Sequence, residues 1–538
     1  MDPAPLLHRP PARNVGLALA APALAVVASL ILAHHTVLAS GLRRVPGDPG
    51  DARFVHYCIE HTWAWLAGHP LHRQFWEMPF FFPAPMVGAY SDVLLAVAPP
   101  YWLFRALGAG PDRAYVLWLL CTTALNALVA FWFLRSVLGV GRLGTVAGAV
   151  LIAAGSPRAH FLNHPQLIGT YWLLAVIGCV VLAVRAPGTR RARLAWLGAG
   201  IAFAAQAWSS YYLWWFLAFA LLVAALAVLA DREIRGWVLD AVRLDGAAIA
   251  GAAVLCALLV FPLFHAWWSV AQMVGLRDSQ QIFLARGQSW VNPGPDSWWY
   301  GWLVRRSAGM RSQTGEQQMG LGLLTPLVAL VGLWRARHRD GVVVLATTAL
   351  ILGLLATQLG PWRQLSPWNL VSAVVPGATA IRAVPRVGLV ILVAWAAGLA
   401  LAVDGVARRM PWVALALAVV CLAEQGISLV HFQPAEDRAR VIRLAATVSP
   451  TCTAFVSTPA PDGWPPWRSQ VDAVWATDPA KVPTHTGYAG NAPPGWKLDD
   501  CVVRSPADRE RLDAAISDWI RRWNLTGTVC HLGTRPQL

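Results

Sequence analysis

Long apolar runs recur along this chain, near 15–38, 114–134, 143–157, 167–184, 194–209, 211–230, 245–266, 320–334, 341–358, 387–403 and 411–430. Runs of about 18 or more apolar residues predict membrane-crossing helices. Five of the short loops between them are rich in arginine: "RSVLGVGR" (135–142), "RAPGTRRAR" (185–193), "DREIRGWVLDAVR" (231–243), "RARHRD" (335–340) and "DGVARRM" (404–410). Such loops stay on the cytoplasmic side. All five fall on one side, with the N-terminus and its Arg9 and Arg13, provided that "VLLAVAPPYWLFRALG" (93–108) does not cross. Its Pro99–Pro100 pair breaks a helical ladder, which is costly in lipid, so this stretch is expected to be a non-spanning helix. The first run is too long for a secretory signal and has no clean small-residue cleavage site, so it is expected to stay as an anchor. The prediction is a mainly α, polytopic transmembrane bundle of about 11 spans.

Three sizeable segments then lie outside: a first loop (39–113), a tryptophan-rich loop (267–319) and a C-terminal tail (431–538). The chain divides into a membrane domain, 1–430, and the tail. Within the tail, "DRARVIRLAATV" and "ADRERLDAAISDWIRRW" have helical spacing, and "CTAFVST" and "TGTVCHL" read as strands. The tail is therefore expected to be a small periplasmic α/β domain. Cys58, Cys452, Cys501 and Cys530 face the oxidising side; one disulfide within the tail is expected, and its three cysteines leave three pairings open.

Composition narrows the function. Of 538 residues 57% are hydrophobic and 13% charged, a surface no soluble protein of this length could cover. The net charge of +15 is nearly all arginine, with lysine only at Lys481 and Lys497. In a soluble protein that balance would suggest nucleic acid; here the arginines sit as topology signals, so no nucleic-acid partner is expected. The Ala- and Arg-rich composition is that of a GC-rich bacterial genome, which places the chain in a bacterial inner membrane. The cytoplasmic loops hold no Gly-rich phosphate cradle, so an activated donor, if there is one, is carried by lipid.

The candidate chemistry gathers outside. "VPGDPGDARFVHY" (45–57) sets Asp48 and Asp51 in a Pro/Gly turn just ahead of a helix. That helix is expected to lie at the interface, with Val55, Ile59, Trp63 and Leu66 as an apolar stripe and Arg53, His56 and Glu60 on another face. Asp51 suits an N-cap and Asp48 a turn. Either could also take a proton from an attacking hydroxyl. Asp92 precedes the 93–108 segment as an expected N-cap. In "SPRAHFLNHPQLIGTYW" (156–172), His160 and His164 share a face if helical. They read as substrate or loop contacts, because no nearby acid completes a metal set. Arg382 and Arg386 run against the positive-inside bias, and a lipid phosphate would compensate them. Tyr211 and Tyr212, with Trp267, Trp268, Trp290, Trp298, Trp299 and Trp302, could line the same cavity or belt the interface. Glu60 and Asp92 complete the candidate substrate contacts.

The order of these features resembles the GT-C superfamily of integral-membrane glycosyltransferases. The resemblance is carried by "GDPGDARFVHYCIEHTWAWLAG", "FFPAPMVGAYSDVLLAVAPPYW", "SPRAHFLNHPQLIGTYWLL", "AIRAVPRVGLVI" and "HTGYAGNAPPGW". It implies a polyprenyl-phosphate-linked sugar donor and an envelope glycan, lipid or protein acceptor. It also implies a first-loop aspartate as base, Asp51 or Asp48, and basic groups at the lipid phosphate, Arg382 and Arg386. Departures matter too: residues 156–172 contain no acid, and "SWWYGW" lacks the aspartate of a Trp-Trp-Asp motif. Peptide N-glycosylation and a required divalent metal are therefore not expected. The tail's "TGYAG" stands where many relatives carry Asn-Gly-Tyr-Ser-Gly, which would weaken a site there. A transporter or flippase is the alternative, although the spans hold few charges at mid-depth, where transporters keep theirs. A non-catalytic scaffold is a third reading.

Overall fold

A computed structural model describes residues 15–275, 283–360, 366–458 and 465–532. Arg9 and Arg13, and with them the expected cytoplasmic N-terminus, lie outside the described residues. The first part of the bundle runs α1 (Val15–Ala39), α2 (Asp51–Leu66), α3 (Pro99–Ala106), α4 (Pro111–Trp132), α5 (Arg142–Ala154) and α6 (Ser156–His160). It continues through α7 (Tyr171–Arg185), α8 (Arg190–Ala207), α9 (Tyr211–Ala230) and α10 (Arg232–Val274). After the short α11 (Gly301–Arg306) and α12 (Ala308–Arg311) come α13 (Leu324–Arg335), α14 (Val342–Ala356), α15 (Trp368–Val374), α16 (Gly388–Ala407) and α17 (Pro411–Ala423). The tail contains α18 (Pro434–Ala446), α19 (Pro466–Ala480) and α20 (Pro506–Arg522).

Every apolar run expected to be a span contains a helix. Among the described residues, six helices are long and apolar enough to cross a membrane by length and composition. The 93–108 segment folds as a single turn and then α3, whose eight residues reach only about 12 Å. At the centre stands α16, nearly all buried. It crosses α13 at glycines: a Cβ on Gly332 would lie 1.9 Å from the Gly398 carbonyl oxygen. Without a water-driven hydrophobic effect in lipid, such close backbone approach is what packs helices.

The arginine-rich loops share one end of the bundle. Asp404 accepts the Gly141 N–H at 3.1 Å and pairs with Arg408 at 3.0 Å and Arg339 at 3.9 Å. Asp245 accepts the Gly188 N–H at 3.0 Å and lies 3.5 Å from Arg193. Arg185 donates to the Val137 carbonyl, joining the two groups.

The tail packs on the first loop. β1 (Val45–Pro46) pairs antiparallel with β2 (His431–Phe432), and β3 (Ala454–Ser457) pairs parallel with β4 (Val529–Leu532). Cys452 and Cys530 form the disulfide, which leaves Cys501 free and buried. Helix α19 carries no expectation from the sequence, yet it packs directly on α2. Arg53 pairs with Asp472 at 2.6 Å, Tyr57 shares a hydrogen bond with Thr477 at 3.0 Å, and the Trp475 indole donates to the Arg53 carbonyl at 3.1 Å. The expectation of an interfacial α2 is corrected here: residues 52–62 are all buried. The polar face is covered by α19, α3 and the start of α4: Arg53 pairs with Asp472, Glu60 with Arg105 and Tyr101, and His56 meets the Pro111 carbonyl at 3.1 Å.

Candidate active site

The turn ahead of α2 treats its two acids differently. Gly47 has a φ of +107°, and a Cβ there would come 2.8 Å from Asn163 Oδ1. That same oxygen accepts the Asp48 N–H at 3.0 Å. The Asp48 carboxylate folds back, and its Oδ1 accepts the N–H groups of Gly50 at 2.7 Å and Asp51 at 3.2 Å. This Asx turn satisfies donors that the first helical turn leaves open. Capping therefore falls to Asp48, and the expected N-cap role of Asp51 is corrected: Asp51 is the first helical residue.

The Asp51 side chain projects away from that turn and is 39% exposed. Its Oδ1 accepts the hydroxyl of Tyr488, which comes from the tail's "TGYAG". Its Oδ2 lies 3.4 Å from His164 Nδ1. His164 Nε2 in turn lies 3.1 Å from Glu316 Oε1. Glu316 then takes Arg386 in a two-point pair, with Arg386 Nε donating to Oε2 at 2.8 Å and Nη2 donating to Oε1. The Arg386 guanidinium sits 4.4 Å above the Tyr212 ring centre. Six distant segments thus meet: residues 51, 164, 212, 316, 386 and 488. They lie at the end of α16 opposite Asp404; the helix starts at Gly388, about 24 Å from Asp404 by helix rise.

The electrostatics follow from those contacts. Burial pushes the Glu316 carboxyl up, but the Arg386 guanidinium and His164 outweigh it and hold it well below the ordinary carboxylate range. Burial, reinforced by the neighbouring Asp51 charge, raises the Tyr488 phenol far above its usual value, so Tyr488 stays a donor to Asp51.

Asp51, His164 and Glu316 are donor types that bind divalent cations. They do not fit one cation as arranged, because His164 turns a different ring nitrogen to each carboxylate. The set is a bridge of side chains in which His164 lies between Asp51 and Glu316, and no step below is routed through a metal.

Other expected site residues lie elsewhere. His160 ends α6, and the chain then turns, so the shared helical face with His164 is corrected: His160 Nε2 meets the Pro293 carbonyl at 2.9 Å. Asp92 caps a different helix from the one expected, accepting the Tyr211 N–H at 2.7 Å at the start of α9. The Tyr211 hydroxyl donates to the Gly377 carbonyl at 3.0 Å. Tyr212 joins the site, and its hydroxyl accepts the Arg382 N–H at 3.2 Å. Glu60 holds α3 on α2, gripped by Arg105 at 2.9 and 3.0 Å and by the Tyr101 hydroxyl. Arg386 already has a protein partner in Glu316, so its charge is compensated within the chain without a lipid phosphate. Trp298, Trp299 and Trp302 are exposed, while Trp290 is tied to Thr357 by an indole hydrogen bond of 2.7 Å.

Sequence reasoning missed Glu316 and Tyr488. Both could have been suspected. Glu316 is an acid a few residues ahead of an apolar run, and Tyr488 stands in a motif already singled out. A cavity of about 420 Å³ lies on the other side of α2, lined by Arg53, Glu60, Arg105, Asp112, Arg438 and Asp478 among others. Its walls hold none of the Asp51, His164, Glu316 or Arg386 groups, and structural pairs occupy its charges.

No protein-family model matches this chain, and no curated protein matches its sequence. Solved structures match it in shape. The apo oligosaccharyltransferase of Archaeoglobus fulgidus matches with a TM-score of 0.50 and 13% identity, over 87% of this chain and 64% of that one. ArnT from Cupriavidus metallidurans gives 0.45 and 12%, over 87% and 85%. The arabinofuranosyltransferase AftD from Mycobacteria gives 0.44 and 16%, over 82% and 30%. The chain spans less than two thirds of the length of the archaeal protein.

Proposed function

We infer that this chain, which has the fold of the GT-C membrane glycosyltransferases, is a glycosyltransferase working at the bundle end opposite its arginine-rich loops. By the positive-inside rule that end is periplasmic in a bacterial inner membrane. The donor is a polyprenyl-phosphate-linked sugar, and the acceptor is a hydroxyl of an envelope glycan, lipid or protein. The division at residue 430 into a membrane domain and a periplasmic tail belongs to the same proposal.

The carrying observation is the separation of the two acids: Asp48 is spent on the backbone, while Asp51 is half-buried, oriented by Tyr488 and His164, and joined through Glu316 to Arg386. In the proposed reaction the acceptor oxygen bonds to the anomeric carbon and its proton passes to Asp51. The bond from that carbon to the phosphate oxygen breaks, and the electron pair leaves with the lipid phosphate. That phosphate gains one negative charge. Arg386 can meet it, because Glu316 uses Nε and Nη2 and leaves the Nη1 donors. Arg382, four residues earlier, supplies the second cation. Attack by the acceptor on the donor carbon inverts its configuration.

The test compares envelope glycans by mass spectrometry in a deletion strain carrying wild type, Asp51→Asn or Asp48→Asn, with membrane levels matched. Asparagine keeps the turn and cap chemistry and cannot act as a base. Loss of a sugar with Asp51→Asn alone is the expected result. If both variants restore the wild-type profile, the base assignment fails, and a transporter or scaffold accounts for the fold better.

A further inference from the structure

Behind α2, away from Asp51, three histidines meet the tail. His69 and His72 lie three apart across the turn Pro70–His72, whose tight winding brings side chains i and i+3 onto one side. Asp478 of α19 closes the group from the tail. One ligand atom from each of His69, His72 and Asp478 lies within 4.8 Å of the others.

The hydrogen bonds around this group do not balance with neutral rings. The Phe75 carbonyl accepts from His61 Nε2 at 2.9 Å. His61 Nδ1 meets His72 Nδ1 at 2.6 Å. His72 Nε2 meets Asp478 Oδ1 at 2.7 Å. Three contacts need three protons, and two neutral imidazoles carry one each. The carbonyl contact takes one and the ring-to-ring contact takes the other. That leaves a bare His72 nitrogen facing a carboxylate, a contact that holds only with a cation on it. His69 Nδ1 is buried with no hydrogen-bond partner. The aperture is present too, since His69 and Asp478 both line the 420 Å³ cavity.

We propose that His69, His72 and Asp478 bind a divalent transition-metal ion of the zinc class, which pins the first loop to the tail. Two imidazoles and one carboxylate suit such an ion, with water in the fourth position. Tetrahedral bonds of about 2.0–2.1 Å put ligand atoms roughly 3.3 Å apart, which requires the widest ligand separation, at most 4.8 Å, to close by no more than about 1.5 Å. His61 is then the outer partner that fixes the ring of His72, as metal-bound histidines require. The ion is structural: the group meets α2 at His61, about 15 Å of helix rise from Asp51. The clamp joins the loop that supplies Asp51 to the tail that supplies Tyr488. It stands whether or not the transferase reading does.

The test uses the full chain purified in detergent, equilibrated with Zn²⁺ or Co²⁺ and freed of excess ion. Wild type is expected to hold one zinc per chain at this site and to show the visible bands of tetrahedral Co²⁺. His69→Ala removes no hydrogen bond and is expected to lose both signals, as is Asp478→Asn, while Asp51→Asn and Glu316→Gln keep them. Chelation of wild type is expected to lower its unfolding temperature, and added Zn²⁺ to restore it. A substoichiometric wild type overturns the proposal, since the balancing cation is then a proton on His72. So does metal that survives His69→Ala or disappears with Asp51→Asn, which would put the ion elsewhere.

Discussion

Glu316 and Arg386 can be tested as a pair by a double-mutant cycle. Their side chains are 14% and 8% exposed, so the pair is largely desolvated. Two unit charges about 4 Å apart attract by about 4 kcal/mol at an effective dielectric near 20. Removing one partner leaves the other charged and buried, which costs about 3–5 kcal/mol, whereas removing both is far closer to neutral. Glu316→Gln keeps an acceptor for His164 Nε2, and Arg386→Met keeps the volume beneath Tyr212. Each single change is expected to destabilise the chain by about 3 kcal/mol or more, and the double change by clearly less than the sum, with a coupling of at least about 2 kcal/mol. Unfolding in mixed micelles, followed by tryptophan fluorescence at matched detergent composition, measures all four corners of the cycle. Single effects that add to within about 0.5 kcal/mol would show the two groups to be independent and refute the buried pair. The bridge from Asp51 to Arg386 would then be broken at its centre.

Tyr488→Phe removes the hydroxyl that Asp51 Oδ1 accepts. Hydrogen bonds to a charged group are worth about 1.5–3 kcal/mol, so turnover is expected to fall by about tenfold or more with tail folding unchanged; unchanged turnover would remove Tyr488 from the site. Burial raises the Asp92 carboxyl from 3.8 to about 6, against the Tyr211 N–H and Arg386, which favour the ion. Between about pH 4 and 6 the folded chain therefore holds a proton that the unfolded chain has released, so the Asp92 contribution to stability falls as pH rises through that window. Asp92→Asn is expected to flatten that part of the pH–stability curve, and an unchanged slope would assign it to other groups. The Cys452–Cys530 bridge closes 78 residues of the tail, and Cys452→Ser with Cys530→Ser is expected to cost roughly 2–4 kcal/mol of tail stability, read as faster proteolysis after residue 430.

The sequence by itself determined the class of fold. Long apolar runs in lipid leave a helix as the only way to satisfy the backbone, and the arginine pattern sorted the loops. The contacts at Asp404 and Asp245 now gather those loops at one end. The tail's strands and two of its helices were also legible, because their periodicity is local. Other features were decided only in three dimensions. In "PGDPGD" only its place against the helix favours Asp51 over Asp48 as the base; their different partners arise because Asn163, more than a hundred residues away, accepts the Asp48 N–H while the Asp48 carboxylate folds back on the backbone. Equally, Arg386 reads in sequence as an uncompensated cation, and its partner Glu316 lies 70 residues earlier. The α2 helix looks interfacial until α19 covers its charged face. Helices are set by neighbours a few residues apart, whereas a site built from six segments depends on packing between residues that no local pattern relates.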